Sequence, residues 1–303
     1  MAEFLRRSGY QVREIADGPW DWKQENVLLV LGNLNWFPKL KKQLLKHGRP
    51  ADSLVAIWHY EPLPPPRSSG QRWPAPTPRE VATIILRDRR ATDIRTNYFL
   101  LRRLARQGLP DILAVSTRAR AEFLAEHGIR AHYVPLGYMP VFGRDLGSAR
   151  DVDVLFLGDC WFPRRRRILA RLHKRGVNLT VRGDFKDPAL WGERRTELLN
   201  RTKIFLNILK LPTEFSGLRF ILGMANGALV ISEPVSDSFP FVAGRHFISA
   251  TAEDLPGAIR YYLENESERR RIADEAYEFV TQQLSMERSV AQLVELIGAP
   301  VAV

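Results

Sequence analysis

Short apolar runs alternate with amphipathic stretches of helical spacing along nearly the whole chain. Runs rich in Val, Ile, Leu and Phe predict strands at 26–31, 53–58, 111–116 and 129–136, then at 152–157, 178–182, 204–209 and 228–232. Apolar residues at i, i+3 and i+4 predict helices at 2–8, 37–47, 79–106, 118–127, 163–173, 187–201, 218–226, 252–264, 267–284 and 289–297. Thr117 is placed to cap the helix at 118 and Gly128 to stop it. The segment 239–249 reads as a loop and short strand. This alternation predicts an α/β protein with parallel sheets, because parallel strands need a crossover helix between them. The start breaks the rhythm. The chain opens on a helix, and a strand at 11–15 follows, which predicts that a leading strand is missing.

Composition shifts suggest the domain limits. Residues 1–138 form one Rossmann-like domain, and 139–150 a linker carrying Pro140, Gly143 and Gly147. Residues 151–284 form a second such domain, and 285–303 a last helix that resembles a C-terminal arm crossing back to the first domain. The stretch 61–78 is a Pro-, Ser- and Gly-rich loop, held extended by its prolines.

The most informative stretch runs from 203 to 234. A strand ends at Leu209, a polar loop spans 210–216, and Gly217 starts a helix whose apolar positions are Leu218, Ile221, Leu222 and Ala225. Gly227 is a helix-ending glycine, and a strand follows at 228–232. Ligands of open α/β sheets sit beyond the carboxyl ends of the strands. Here that place combines the backbone amides of Ser216, Gly217 and Leu218 with two cations, Lys210 and Arg219. Amides at a helix start beside cations suit a phosphate or diphosphate, and Gly217 lets it approach closely. An ordinary βα loop with surface charges has the same local pattern.

The residues 214–231, EFSGLRFILGMANGALVI, resemble the donor-binding motif of GT-B glycosyltransferases of the group 1 kind and of the related CgeB-like proteins. That motif has a Glu, seven residues, a second Glu, and a small-residue run into a strand. The resemblance implies two Rossmann-like domains facing across a cleft, and transfer of a sugar from a nucleotide-diphosphate donor. It gives Glu214 the donor sugar's hydroxyls, and Gly217 and Leu218 the diphosphate. Arg219 matches an Arg frequent in the CgeB-like branch. The second acid, the ribose contact, falls on Leu222. The resemblance extends over roughly 110–290. It also implies a diphosphate-holding base near the first strand of the second domain, where Gly158 precedes the run Arg164 to Arg167; Arg165 and Arg166 are taken as candidates. Four arginines at a helix start oppose its dipole, which a bound anion would relieve; a solvated basic turn is the alternative. Gly183 and Asp184, before Phe185, resemble the base-binding loop.

In the first domain, His59 and Glu61 follow a strand end. Either would suit the base that takes a proton from an acceptor hydroxyl, and either would equally serve to hold the loop by hydrogen bonds.

The chain has 303 residues, 45% of them hydrophobic, which supports a folded core in each domain. Residues 1–150 hold 24 Lys and Arg against 14 Asp and Glu, whereas the rest hold 21 against 20. A basic half faces a polyanion, either a nucleic acid, an anionic membrane or an acidic substrate. The basic helix at 37–47 can lie on anionic lipid, or be a plain surface helix. Regular aromatic interleaving and known nucleic-acid motifs are missing, so nucleic acid is not the expected partner. A single cysteine, Cys160, excludes an internal disulfide. No phosphate-binding P-loop sequence and no cluster of metal ligands at suitable spacing occurs. The expectation is a metal-independent transferase with no cofactor, whose donor is a substrate. Its acceptor is a glycan, a lipid-linked or a small molecule. Its place is cytoplasmic, at or near the inner face of a membrane. A nucleotide-sugar-binding relative without turnover is the main rival, because of Leu222.

Overall fold

The structure is a computed structural model that describes residues 1–298 apart from 19, 22–25, 74, 76–77, 79–80, 83–93, 161, 184–185, 188–189 and 213. It divides into two compact units, Met1–Pro135 with Glu287–Val303, and Leu136–Met286. The helix expected at 79–106 lies partly outside the described residues.

Among the described residues, unit 1 carries a four-stranded parallel sheet of β1 (Val27–Leu31), β2 (Leu54–His59), β3 (Ile112–Val115) and β4 (His132–Tyr133), in that order. The register pairs Val30 with Ile57 and Ile57 with Leu113. Strand alternation therefore turns Leu28, Val30, Val55, Ile57, Leu113 and Val115 to one core. That core also takes Leu40 and Leu44 of α2 (Pro38–His47), Leu101 and Leu104 of α3 (Ile94–Ala105), and Phe123 and Leu124 of α4 (Arg118–Ala125). Sequential strands joined by right-handed crossovers put these helices on one face. Thr117 caps α4 by accepting the Arg120 amide at 3.3 Å. The closing helix, Met286–Gly298, buries Val290 and Leu293 and donates from Gln292 to the Tyr133 carbonyl at 3.0 Å.

Two expectations fail here. Residues 11–15 are not a strand: they follow α1 (Ala2–Arg7) in irregular form, with Gln11, Arg13 and Glu14 exposed. Among the described residues no neighbouring strand offers them a ladder, and an apolar alternation cannot hold a strand alone. The strand at 129–136 shrinks to His132–Tyr133, because Pro135 has no amide to continue the pairing.

Unit 2 carries β5 (Val152–Leu157), β6 (Leu179–Arg182), β7 (Thr202–Asn207), β8 (Leu229–Ser232) and β9 (Ile248–Ser249), parallel throughout, in the order β6-β5-β7-β8-β9. Its helices are α5 (Pro163–Lys174), α6 (Gly192–Asn200), α7 (Gly217–Met224), α8 (Leu255–Glu264) and α9 (Glu266–Glu278). Alternate residues face opposite ways. Leu155, Phe205 and Val230 pack with Phe220, Ile221 and Met224 of α7. Val154, Phe156, Ile204 and Ile231 pack with Ile168, Leu169 and Leu172 of α5. Helices thus cover both faces. The chain reverses its direction across the sheet between β5 and β7, and this reversal opens a crevice at their carboxyl ends. No described helix is long and apolar enough to cross a membrane.

Candidate functional site

Strands β5 and β7 are paired as far as Leu155 and Phe205. Beyond that point their ends separate, and the side chain of Arg219, third residue of α7, fills the gap. Its Nη1 donates to the Leu157 carbonyl at 2.6 Å, its Nη2 to the Leu206 carbonyl at 3.0 Å, and its Nε to Asn207 Oδ1 at 2.8 Å. The guanidinium carbon lies 5.3 Å from the Phe156 ring centre and 5.2 Å from that of Phe205. Although the residue keeps some exposed surface, burial of the guanidinium, together with the charge of Arg165, pushes its pKa down to about 9. It remains a cation at neutral pH. The fork is thus held by the Leu157 and Leu206 carbonyls and by the Asn207 side chain.

Arg165 of α5 is buried and reaches the same corner. Its Nε donates to the Ile208 carbonyl at 2.9 Å, its Nη1 to the Asp159 carbonyl at 3.2 Å, and its guanidinium carbon lies 5.6 Å from the Phe156 ring. Burial lowers its pKa, while Glu214, Asp159, Cys160 and Glu233 work the other way. Two buried guanidiniums at one crevice disfavour each other's charge, and an anion beside them would relieve both.

Gly158 leaves space beside them. It has φ +138°, and a Cβ there would stand 3.2 Å from Arg219 Nη1 and 3.8 Å from Arg165 Nη1. Across the β5–β6 edge, a Cβ on Gly183 would meet the Gly158 carbonyl at 2.7 Å. Both positions require glycine, one for its backbone and one for space. On the other side of the crevice, Ser216, Gly217 and Leu218 open α7, each half-buried. Ser216 makes no side-chain cap, and first-turn amides have no intrahelical partner. Glu214 is half-buried near Arg165. Lys210 lies with its Nζ 4.4 Å from the centre of the Phe162 ring.

Arg166 does not join this group. It is exposed on α5, because neighbouring positions on a helix point about 100° apart. Asp184 lies outside the described residues. Leu222 is partly buried against the apolar core of α7 and offers no polar group to a ribose.

Several polar residues escaped the sequence reading. Asn207 Nδ2 donates to Ser232 Oγ at 2.9 Å, and Ser232 Oγ donates to the Glu233 carbonyl at 2.7 Å. The buried Glu233 carboxylate accepts the Leu209 amide at 2.9 Å and both terminal nitrogens of Arg164, Nη1 at 2.8 Å. These bonds lock the ends of β7 and β8 to α5. Their signal was present: each is a polar residue at the carboxyl end of an apolar run.

In unit 1, His59 ends β2 and is 1% exposed. Burial, then Arg120, lowers its pKa to about 3, against a hydrogen bond with the Gly32 backbone. Its Nε2 is buried without a hydrogen-bond partner among the described residues. The ring is therefore neutral and held in the core at the end of β2. Glu61 is half-buried. Nearby, Arg120 donates to the Tyr60 carbonyl at 2.8 Å and to Ser116 Oγ at 2.7 Å. Among the described residues no group of three or more His, Cys, Asp or Glu is placed to hold a metal ion.

A family model described as glycosyl transferase-like matches residues 164–295. No curated protein matches the chain. Among solved structures, TarM aligns with a TM-score of 0.62 at 10% identity, over 89% of this chain and 55% of TarM. The S. aureus protein in a complex with UDP gives 0.60. This chain thus spans little more than half the length of TarM. HepE from Anabaena, in complex with UDP, gives 0.57 at 13% identity over 90% of this chain and 99% of HepE. Sucrose-phosphate synthase from Thermosynechococcus elongatus gives 0.56 at 13% identity over 89% and 72%. At such identities the likeness shows a fold, that of two Rossmann-like parallel-sheet domains as in GT-B glycosyltransferases. The family-model match adds support for the glycosyltransferase class.

Proposed function

We propose that the chain is a glycosyltransferase that moves a sugar from a nucleotide-diphosphate donor to an acceptor hydroxyl, in cell-envelope polysaccharide or glycoconjugate synthesis. The observation that carries this reading is the pairing of Arg165 and Arg219 at the β5–β7 crevice beside Gly158 and the start of α7. Transfer breaks the bond between the anomeric carbon and the diphosphate oxygen and leaves negative charge on the diphosphate. Two preorganised cations and the amides of Gly217 and Leu218 stabilise that charge as it forms, which is where transition-state stabilisation is most effective. These groups take the part that a metal takes in other phosphate chemistry. Glu214 orients the sugar through its hydroxyls, and Glu61 takes the acceptor proton. The neighbours' complexes with UDP and UDP-glucose support a uridine nucleotide as the first donor to try. CgeB-like membership is part of the same reading.

Leu222 favours a second reading, a relative that binds a nucleotide sugar or glycan without turnover. One experiment separates the two. A thermal-shift panel of UDP-, GDP-, ADP- and dTDP-sugars identifies the donor, since a ligand bound only by the native state raises apparent stability. Donor hydrolysis without acceptor is then measured. Binding with slow hydrolysis supports the transferase; binding with none, and no transfer to any acceptor, supports the second reading. No shift with any nucleotide sugar discards both.

A further inference from the structure

Among the described residues, five cations of the basic first half share one surface. Helices α2 and α3 lie on the same face of the unit 1 sheet, and their ends are joined by the bond from Gln107 Nε2 to the Leu45 carbonyl at 3.3 Å. Their inward sides are filled by Leu40, Leu44, Leu101 and Leu104. Their outward sides expose Lys42 and Lys46 on α2, and Phe99, Arg102, Arg103 and Arg106 on α3 and its last turn. The spacing of the α3 set places them on one stripe. Neither helix contains an acidic residue. Asp17 accepts the amides of Lys39 and Leu40 at the start of α2.

These cations differ from several exposed arginines of unit 2, though not from Arg175 and Arg260, which also form no ion pair among the described residues. There Arg144 meets Glu193, Arg171 meets Glu253, Arg201 meets Asp151 and Arg271 meets Glu268. Among the described residues Lys42, Lys46, Arg102, Arg103 and Arg106 form no ion pair. Amid them, Phe99 is 50% exposed, an aromatic ring held in water on an otherwise charged face. Long cationic side chains around an apolar ring match the boundary of a bilayer: the ring enters the acyl edge, and the stems reach back to the headgroups. A nucleic acid would call for a groove or for several aromatic rings to stack on bases, and this stripe offers one ring on a helix.

We infer that the α2–α3 surface docks on a lipid bilayer carrying anionic headgroups, with Phe99 as its apolar anchor. The test uses the full chain and flotation with two vesicle types at physiological ionic strength. One is phosphatidylcholine alone; the other has about a third of its lipid replaced by phosphatidylglycerol. Binding is expected to the second only, and to fall as salt rises. Each of Lys46→Gln, Arg102→Gln and Arg103→Gln should weaken it about fivefold. Phe99→Ser should weaken it with charge unchanged. The exposed unit 2 variants Arg175→Gln and Arg260→Gln should not. All these positions are exposed, so circular dichroism should show native folding throughout. Equal retention on both vesicle types, absence of binding, or losses no larger than those of the control variants would overturn the inference. So would tighter binding to a duplex oligonucleotide or single-stranded RNA that Phe99→Ser leaves intact; that would reassign the surface to nucleic acid.

Discussion

Arg219 and Leu157 are joined by a hydrogen bond of 2.6 Å from guanidinium to carbonyl, spanning the crevice where the second sheet changes direction. The same fork reaches Leu206 and Asn207 on the other strand. A residue of the helix start thereby holds two strand ends at a fixed separation, and its charge remains at the mouth of the crevice.

Arg219→Ala should therefore lower stability and donor binding together. It leaves two carbonyls and the Asn207 side chain without their donor, a loss of roughly 3 kcal/mol or more. Urea denaturation would show it as a lower midpoint. Arg219→Lys keeps the charge but not the fork, and should recover only part of the loss. A wild-type midpoint in both variants would show that the bridge does not hold the strands.

Arg165 and Arg166 are adjacent and should behave differently. Arg165→Met removes a buried cation from the crevice and should weaken nucleoside-diphosphate binding by about 10- to 100-fold. Arg166→Gln alters an exposed side chain and should stay within about twofold. Isothermal titration of both variants measures this; equal effects would remove Arg165 from the site.

Gly158→Ala places a side chain at φ +138° and within 3.2 Å of Arg219 Nη1. A cost of about 1–3 kcal/mol follows from the backbone alone. Gly183→Ala meets the Gly158 carbonyl at 2.7 Å, which only a backbone shift relieves. Both variants should melt earlier and bind donor more weakly; unchanged melting would contradict the close packing at these strand ends.

His59 should stay neutral well below the usual histidine range. Its folded pKa of about 3 lies below the ordinary 6.5. The folded state therefore binds fewer protons than the unfolded state between these values. Its contribution to stability is whole above pH 6.5 and is lost as pH falls toward 3, by about 3 kcal/mol at pH 4. NMR of the imidazole through that range is the direct check. A ring titrating near 6 would contradict the burial of His59 and favour it as the base.

Much of unit 2 was legible in sequence because its signals are local. The strand, loop, helix and strand from Thr202 to Ser232 follow from short apolar runs, helical spacing and the glycines at 217 and 227. The fate of Arg219 was not legible, since Leu157 is 62 residues away. The choice between Arg165 and Arg166 was open to inference: Arg165 precedes Ile168, Leu169 and Leu172 by one or two helical turns, which puts it on the buried stripe of α5. Likewise His59 shares its strand face with Val55 and Ile57, so alternation already points it at the core. Residues 11–15 misled because alternation reports a surface, and only a neighbouring strand makes that surface a sheet.

The most direct measurement is isothermal titration of the intact protein with UDP and with uridine, in chelator and at physiological salt. The expected result is binding of UDP at least about tenfold tighter than uridine, with the difference abolished in Arg165→Met. Equal affinity for the two, or no binding of UDP or any other nucleoside diphosphate, would show that the crevice between β5 and β7 does not hold a diphosphate.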